Sequence, residues 1–469
     1  MKQQKMEKKL KKMRAHFVGI GGIGMSALAL LAKDLGWEVY GSNIDRNEIV
    51  KEISKKGIKV FIGHSSNNWM DPDVVVVSSA VPKDNPELFK ATISNVEIIE
   101  RLRFFSRLAK DFKVLSVTGT DGKTTTTAML GHIVQESGYD PTIILGGIHP
   151  IFKNYKKGNG KYMVAEIDES DGKFADFSSY ASIITNVRYD HLNNYGGRIE
   201  RYLEHFRNFI MNTSEIMVYN LDDMCEISRK LFNEFRGKLV TFGINSQNAD
   251  YTAINIFMEK SKSFFDLVAY GSFVGRITVP IPGIHNVYNA LSAIALSMEL
   301  GMEIDAIQQA MKTYKSVDRR FSIRFKDNRK QVYVLDDYAH TPMEIKYTVD
   351  TVRKVFEGKK LVAIFQPHRY SRLAMENGRF SYSLLKADEV IITKVYSAYE
   401  EEIPGVSARE VHEKLHELGK KTWYVENFDE LERKLEAFEK RNTVFLFLGA
   451  GDISMFATNW VKKLSPQHK

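Results

Sequence analysis

The chain has 469 residues, of which 43% are hydrophobic and 26% charged, and it carries a formal net charge of +8. That length supplies material for about three packed domains, and the composition excludes a disordered or fibrous chain. The single cysteine, Cys225, excludes an internal disulfide and a metal centre built on thiolates, which favours a reducing, cytoplasmic setting.

No run of about 18 apolar residues is present to span a bilayer, so a soluble protein is expected. Much of the positive charge sits in residues 1–14, crowded with lysines but lacking the apolar middle of a secretory signal. That segment reads as a solvated basic tail. Nucleic acid is the weaker partner class, because basic residues are not interleaved with aromatics in a binding motif. Anionic small molecules suit the glycine-rich loops better.

In chain order, residues 16–20 read as a strand, 25–35 as a helix, 38–41 as a second strand and 74–78 as a buried strand, together one mononucleotide-type unit. After a polar helical stretch at 101–111, a fresh strand at 114–118 runs into a glycine-rich loop, placing a domain boundary near Asp111. Further strands are expected at 162–167, 181–187 and 216–220, then a β-rich stretch at 251–280 and a helix at 285–300. A third restart at 332–336, with strands at 361–365, 389–393 and 444–448, puts a second boundary near Phe321. Strands alternating with helical crossovers make the class α/β, with parallel sheets. The expected domains are 1–111, 112–321 and 322–469.

Gly19-Ile-Gly21-Gly22-Ile23-Gly24 lies between a strand and a helix, where backbone N–H groups can face a diphosphate. The acid that would hold the ribose of NAD is replaced by Asn43, with Asp45 slightly beyond, so a diphosphate other than NAD is the better reading. The alternative is that the glycines serve only tight packing. Gly119-Thr120-Asp121-Gly122-Lys123-Thr124-Thr125 is more specific: amides cradle phosphates, Lys123 neutralises them and the Thr124 hydroxyl ligates magnesium. Val117 stands at the first glycine position of the general pattern. Gly449-Ala-Gly451-Asp452 reads as a turn that lets the chain leave a sheet.

Further oxygen ligands are expected from Glu166-Ile-Asp168-Glu169-Ser-Asp171 at a strand end. Asp190-His191, ending the next strand, comes to the same edge if those two strands are parallel neighbours, making His191 a candidate ligand for a second metal ion.

These motifs resemble the Mur ligases, ATP-dependent amide-forming enzymes of bacterial cell-wall synthesis, and in particular the alanine-adding branch. The variant phosphate loop, His285-Asn286 through Asn289-Ala290, Asp318-Arg-Arg320-Phe321, Asp336-Asp-Tyr338-Ala-His340-Thr-Pro342 and Gln366-Pro-His368-Arg-Tyr-Ser-Arg372 follow in that family's order. The resemblance implies ligation of L-alanine to UDP-N-acetylmuramic acid through an acyl phosphate, with ATP and Mg2+ or Mn2+. It implies that Gly21, Gly22, Ile23, Gly24, Ser42 and Ser79 hold the UDP substrate, and that residues 119–125 with Asn286, Asn289, Arg320 and Asp336 hold ATP. Lys123, Glu166 and His191 would be catalytic, Thr124, Glu166 and His191 metal ligands, and Tyr338, His340, His368 and Arg372 would lie near the amino acid. A monomer or weak dimer is expected, with no membrane insertion. Asp121, Asn193, Asn43 and Tyr399 depart from the family's usual residues. The rival readings are a recycling ligase that attaches peptide to the same sugar nucleotide, a P-loop kinase or NTPase, and a binding module.

Overall fold

The computed structural model describes residues 12–170, 172–188, 192–223, 230–246, 248–259, 261–376, 378–398, 400–438 and 440–464, with Asn193 described by its main chain alone. Asp171, Asp190, His191, Cys225 and Tyr399 lie outside the described residues.

The fold is α/β with three sheets. The first is built from β1 (Arg14–Val18), β2 (Glu38–Asn43), β3 (Lys59–Ile62), β4 (Val74–Val77) and β5 (Glu97–Glu100), in the order β3-β2-β1-β4-β5. Its strands pair in parallel. The crossovers are α1 (Ile23–Asp34), α2 (Glu48–Lys55), α3 (Pro86–Ile93) and α4 (Arg101–Leu108). Alternation along the strands sends Ala15, Phe17, Val74 and Val76 to one face and Val18 and Val75 to the other, so both faces are covered.

The second sheet contains β6 (Lys113–Thr118), β7 (Thr142–His149), β8 (Lys153–Lys156), β9 (Tyr162–Glu166), β10 (Ser179–Ile184), β11 (Thr213–Asn220), β12 (Lys238–Gly243), β13 (Tyr251–Glu259), β14 (Lys262–Ala269) and β15 (Ser272–Val279). Its order is β15-β14-β13-β12-β11-β10-β6-β9-β7-β8, with α5 (Lys123–Glu136), α6 (Ile199–Met211), α7 (Ile284–Glu299) and α8 (Ile304–Thr313) as its helices. β9 and β10 are not direct neighbours, because β6 lies between them, but each pairs with it in parallel, so both end at the same edge of the sheet. The phosphate loop that follows β6 is therefore flanked on both sides.

The third sheet runs β16 (Ser322–Asp327), β17 (Val332–Asp337), β21 (Thr443–Leu448), β18 (Lys360–Phe365), β19 (Glu389–Thr393) and β20 (Lys421–Val425) in spatial order. Among the described residues the edge pair β16–β17 is antiparallel, and the other strands of this sheet pair in parallel. Its helices are α9 (Pro342–Val355), α10 (Tyr370–Glu376), α11 (Arg379–Ser383), α12 (Ala408–Glu417), α13 (Phe428–Glu436) and α14 (Ile453–Leu464). Tyr333, Leu335, Leu361, Ala363, Val444 and Leu446 join one core, and Val332, Val334, Val362, Ile364, Phe445 and Phe447 the other. This is a period-2 pattern read on both faces, the mark of a doubly wound sheet.

The chain divides into two compact units, one of Met1–Thr252, Leu267–Gly275 and Asn289–Met311, and another of Ala253–Asp266, Arg276–Tyr288 and Lys312–Lys469. No helix among the described residues is long and apolar enough to cross a membrane.

Candidate functional site: a phosphate loop flanked by two strands

The apolar run of β6 buries Val114, Leu115 and Val117 and delivers the chain to Gly119. At Gly119 φ is +125°, and an added Cβ would stand 2.3 Å from Thr185 Oγ1 and 2.7 Å from the Asn186 carbonyl oxygen. Both the backbone angle and the approach of the strand-end residues therefore require glycine. Gly122, at φ +82°, is the N-cap of α5, so no side chain of the cap residue takes up the first amides of the helix, where its dipole favours an anion. Thr124 to Val134 are all buried, which makes α5 an interior helix whose start cannot drift.

Residues after β10 hold the loop from one side. Asp121 N–H donates to Asn186 Oδ1 at 2.9 Å, while the Asp121 carbonyl accepts from Thr185 Oγ1 at 2.7 Å and Asn186 Nδ2 at 2.9 Å. Thr120 Oγ1 donates to the Arg188 carbonyl at 3.0 Å and accepts from Arg188 N–H at 2.9 Å. Asn289 lies against the other side of the loop, with its Oδ1 accepting from Thr126 Oγ1 at 3.3 Å.

The acids after β9 meet the loop from the opposite flank and divide their roles by direction. Glu166 Oε1 accepts from Thr124 Oγ1 at 3.0 Å, and Oε2 accepts from Gly146 N–H at 2.8 Å. Burial raises the Glu166 carboxyl above its ordinary range. Glu169, 1% exposed, pairs with Lys123 Nζ at 2.9 Å. Lys123 Nζ also donates to the carbonyls of Gly119 at 2.7 Å and Thr120 at 3.0 Å. Burial opposes the ammonium, but Glu169, Asp168 and Glu166 outweigh it and hold Lys123 charged, above the usual lysine range. Asp168 lies 4.0 Å from Arg101.

A hydroxyl oxygen and a carboxylate oxygen meeting beside a phosphate loop are hard donors of the kind magnesium takes, so Thr124 and Glu166 fit that ion. Among the described residues no group of three or more His, Cys, Asp or Glu is arranged to hold a metal. His191, the expected ligand for a second ion, lies outside the described residues.

At the glycine-rich loop of the first sheet, Gly21 N–H donates to Asn43 Oδ1 at 3.0 Å, and Asn43 Nδ2 donates to Asp45. Asn43 thus closes the strand end on the loop. An added Cβ at Gly24 would lie 2.6 Å from Arg101 Nη1, placing a guanidinium at the start of α1. Ser79 is exposed, but Ser42 is buried with its hydroxyl turned inward to Glu87 Oε2 at 2.5 Å. Glu87, 1% exposed, also accepts from Asn68 Nδ2 at 2.6 Å and Ser65 N–H at 3.2 Å, and pairs with His16 Nε2 at 3.2 Å.

Burial works against the Glu87 carboxylate, yet the bonds from His16, Ser42 and Asn68 prevail and bring it down to about 2. Its folded value lies below the unfolded one, so its stabilisation is present above pH 4.5 and disappears as pH falls toward 2. The full shift corresponds to about 3 kcal/mol. Urea unfolding followed from pH 6 to pH 3 should lose stability more steeply in the wild type than in Glu87→Gln, and equal slopes would contradict this account.

The second unit gathers Arg320, Tyr338, His340 and His368. Tyr338 lies between the Arg319 and Arg320 guanidiniums, at 4.9 and 5.0 Å from its ring centre. The His340 ring is 5.1 Å from Tyr338 and 5.8 Å from His368, and its Nδ1 is 3.1 Å from Glu344. Burial, with His340, Arg372 and Arg369 nearby, brings His368 down to about 3. Arg372 is buried. Asn286 Nδ2 donates to the Pro282 carbonyl at 2.7 Å, beside His285.

Asp336 is fully buried and accepts from Arg324 at 2.7 Å and Ser454 Oγ at 2.5 Å. Its neighbour Asp337 turns to the opposite face and accepts from the N–H groups of Phe321 and Ala339. The Gly449–Gly451 turn has a role the sequence did not reveal, since its carbonyls receive the Arg319 guanidinium.

Sequence reasoning missed Thr185, Asn186 and Arg188, which sit directly before the Asp-His pair it singled out. Their position at a strand end was the available signal. It also missed Glu87 and His64, whose bonds to Ser42 join segments 22 or more residues apart and leave no local pattern.

Comparison with known proteins supplies the family. The Mur ligase family catalytic domain matches residues 14–113, the Mur ligase middle domain 117–297, and the Mur ligase glutamate ligase domain 319–451. A UDP-N-acetylmuramate–L-alanine ligase of Thermotoga maritima is 43% identical over 456 residues, covering 96% of each chain. The crystal structure of the UDP-N-acetylmuramate-alanine ligase from Thermotoga maritima superposes with a TM-score of 0.84 at 40% identity, covering 96% of this chain and 99% of that one. A murein peptide ligase from Psychrobacter arcticus has the same fold, with a TM-score of 0.69 at 20% identity over 97% of this chain and 100% of that one.

Proposed function

The chain belongs to the Mur ligase family, and from that membership we propose how its residues divide the labour of an ATP-driven ligation. It is an ATP-dependent ligase that adds L-alanine to UDP-N-acetylmuramate in peptidoglycan precursor synthesis. The recycling alternative is not favoured, since identity is 43% to the alanine ligase and 20% to the murein peptide ligase.

The substrate carboxylate attacks the γ-phosphorus of ATP, giving an acyl phosphate and releasing ADP. The alanine amine, having lost its proton, then adds to the acyl carbon, and the tetrahedral intermediate expels phosphate to leave the amide. Negative charge builds or moves in both steps, so fixed cations lower the barrier most. Residues 119–125 with Asn289 hold the polyphosphate and nucleotide, and Lys123 is the cation closest to the loop. Bound magnesium, or manganese, would be held by Thr124 and Glu166 and would offset phosphate charge. By the family's pattern Asn286, Arg320 and Asp336 are ATP contacts of the second unit, and Tyr338, His340, His368 and Arg372 receive the amino acid. Gly21 to Gly24, with Ser79, take the UDP portion, while Ser42 braces the strand end through Glu87. The functional domains are 1–111, 112–321 and 322–469. A cytoplasmic monomer or weak dimer fits an enzyme supplied with ATP and a nucleotide sugar.

The observation that carries this reading is the Thr124–Glu166 contact at 3.0 Å beside the charged Lys123. Phosphate release should require both UDP-N-acetylmuramate and L-alanine. Release indifferent to both would instead identify an NTPase.

A further inference from the structure

Asp121 places a carboxylate inside the phosphate loop, two residues before Lys123, where its charge opposes that of an incoming polyphosphate. The structure pairs it. Arg188 Nη1 donates to Asp121 Oδ2, and the same guanidinium reaches Asp223 Oδ1 through Nη2 at 2.8 Å and Nε at 3.3 Å. The Asp121 and Arg188 side chains are 16% and 30% exposed, so water screens the pair only in part.

The main chain of this segment is fixed without the guanidinium. Asp121 is held by Thr185 and Asn186, and Thr120 Oγ1 bonds to the backbone of residue 188, contacts that any side chain at 188 would keep. The Arg188 side chain thus adds charge to a loop whose shape is already set.

We propose that Arg188 is a positioning residue for ATP: it masks the Asp121 carboxylate so that the loop accepts polyphosphate, while Asp223 competes with Asp121 for its guanidinium. The proposal rests on the reading of residues 119–125 as the nucleotide site. The expectation has a sign that a merely structural role lacks, because deleting the masked carboxylate repairs the loss of the mask.

Titration calorimetry with magnesium and ATP, with steady-state kinetics on the full chain, tests it. Arg188→Ala should weaken ATP binding and raise KM for ATP by about tenfold, with kcat and KM for UDP-N-acetylmuramate and alanine within about twofold. The double variant Asp121→Asn/Arg188→Ala should recover most of that loss. Asp223→Asn, which keeps the arginine and leaves it wholly to Asp121, should bind ATP as tightly as the wild type or tighter. A double variant as weak as Arg188→Ala would overturn the proposal, assigning Arg188 to direct phosphate contact or to the fold. ATP binding unchanged in Arg188→Ala, or weakened in Asp223→Asn, would overturn it as well. If Arg188→Ala fails to fold, the Asp223→Asn result decides alone. A wild-type protein that gives no heat with magnesium and ATP would instead sink the nucleotide reading of the loop.

Discussion

Replacing Lys123 with alanine should reduce kcat by a hundredfold or more, about the cost of losing one fixed cation or hydrogen-bond donor aimed at developing charge. The same change removes the partner of Glu169, which is 1% exposed and whose carboxyl burial pushes up to about 8, and a buried carboxylate left alone destabilises by at most about 3–5 kcal/mol, less to the extent that it takes up a proton. Lys123→Ala should therefore lose thermal stability as well as activity. The two effects separate in Lys123→Ala/Glu169→Gln, where the charge left behind is gone: melting should return toward the wild-type temperature while turnover stays absent. Activity near the wild-type level in either variant would remove Lys123 from the mechanism. Stability unchanged in Lys123→Ala would mean that Glu169 does not depend on it.

Glu166→Gln should be nearly as damaging to the rate and much gentler to the fold. The amide can turn its oxygen to Gly146 N–H and its nitrogen to Thr124 Oγ1, so both native contacts keep a partner of correct polarity. What disappears is the negative charge that makes this oxygen a magnesium ligand. A loss in kcat on the order of a hundredfold is expected, with a higher magnesium concentration needed for half-maximal rate and melting within a few degrees of the wild type. An unchanged magnesium requirement would assign Glu166 a packing role.

The two glycine loops illustrate how far local sequence reaches. Gly119 and Gly122 adopt the positive φ angles their residue type permits, and the apolar run before them was legible from composition and spacing. The same holds for β17, β18, β19 and β21 of the third sheet, whose apolar runs are buried on both faces. The edge strands β3, β5, β8 and β20 were not read in advance, being only four or five residues long, so that pairing rather than propensity decides them.

The sequence by itself determined the α/β class, the phosphate loop and the candidate acids, because each depends on residues within a few positions of one another. Only the tertiary structure decided which acid does what. Insertion of β6 between β9 and β10 puts Glu166 on Thr124, Glu169 on Lys123 and Arg188 on Asp121, and strand alternation sends Asp336 to Arg324 while Asp337 faces the other way. A one-residue shift in strand register would exchange these faces. The register is fixed by burial summed over whole strands, which no single motif contains.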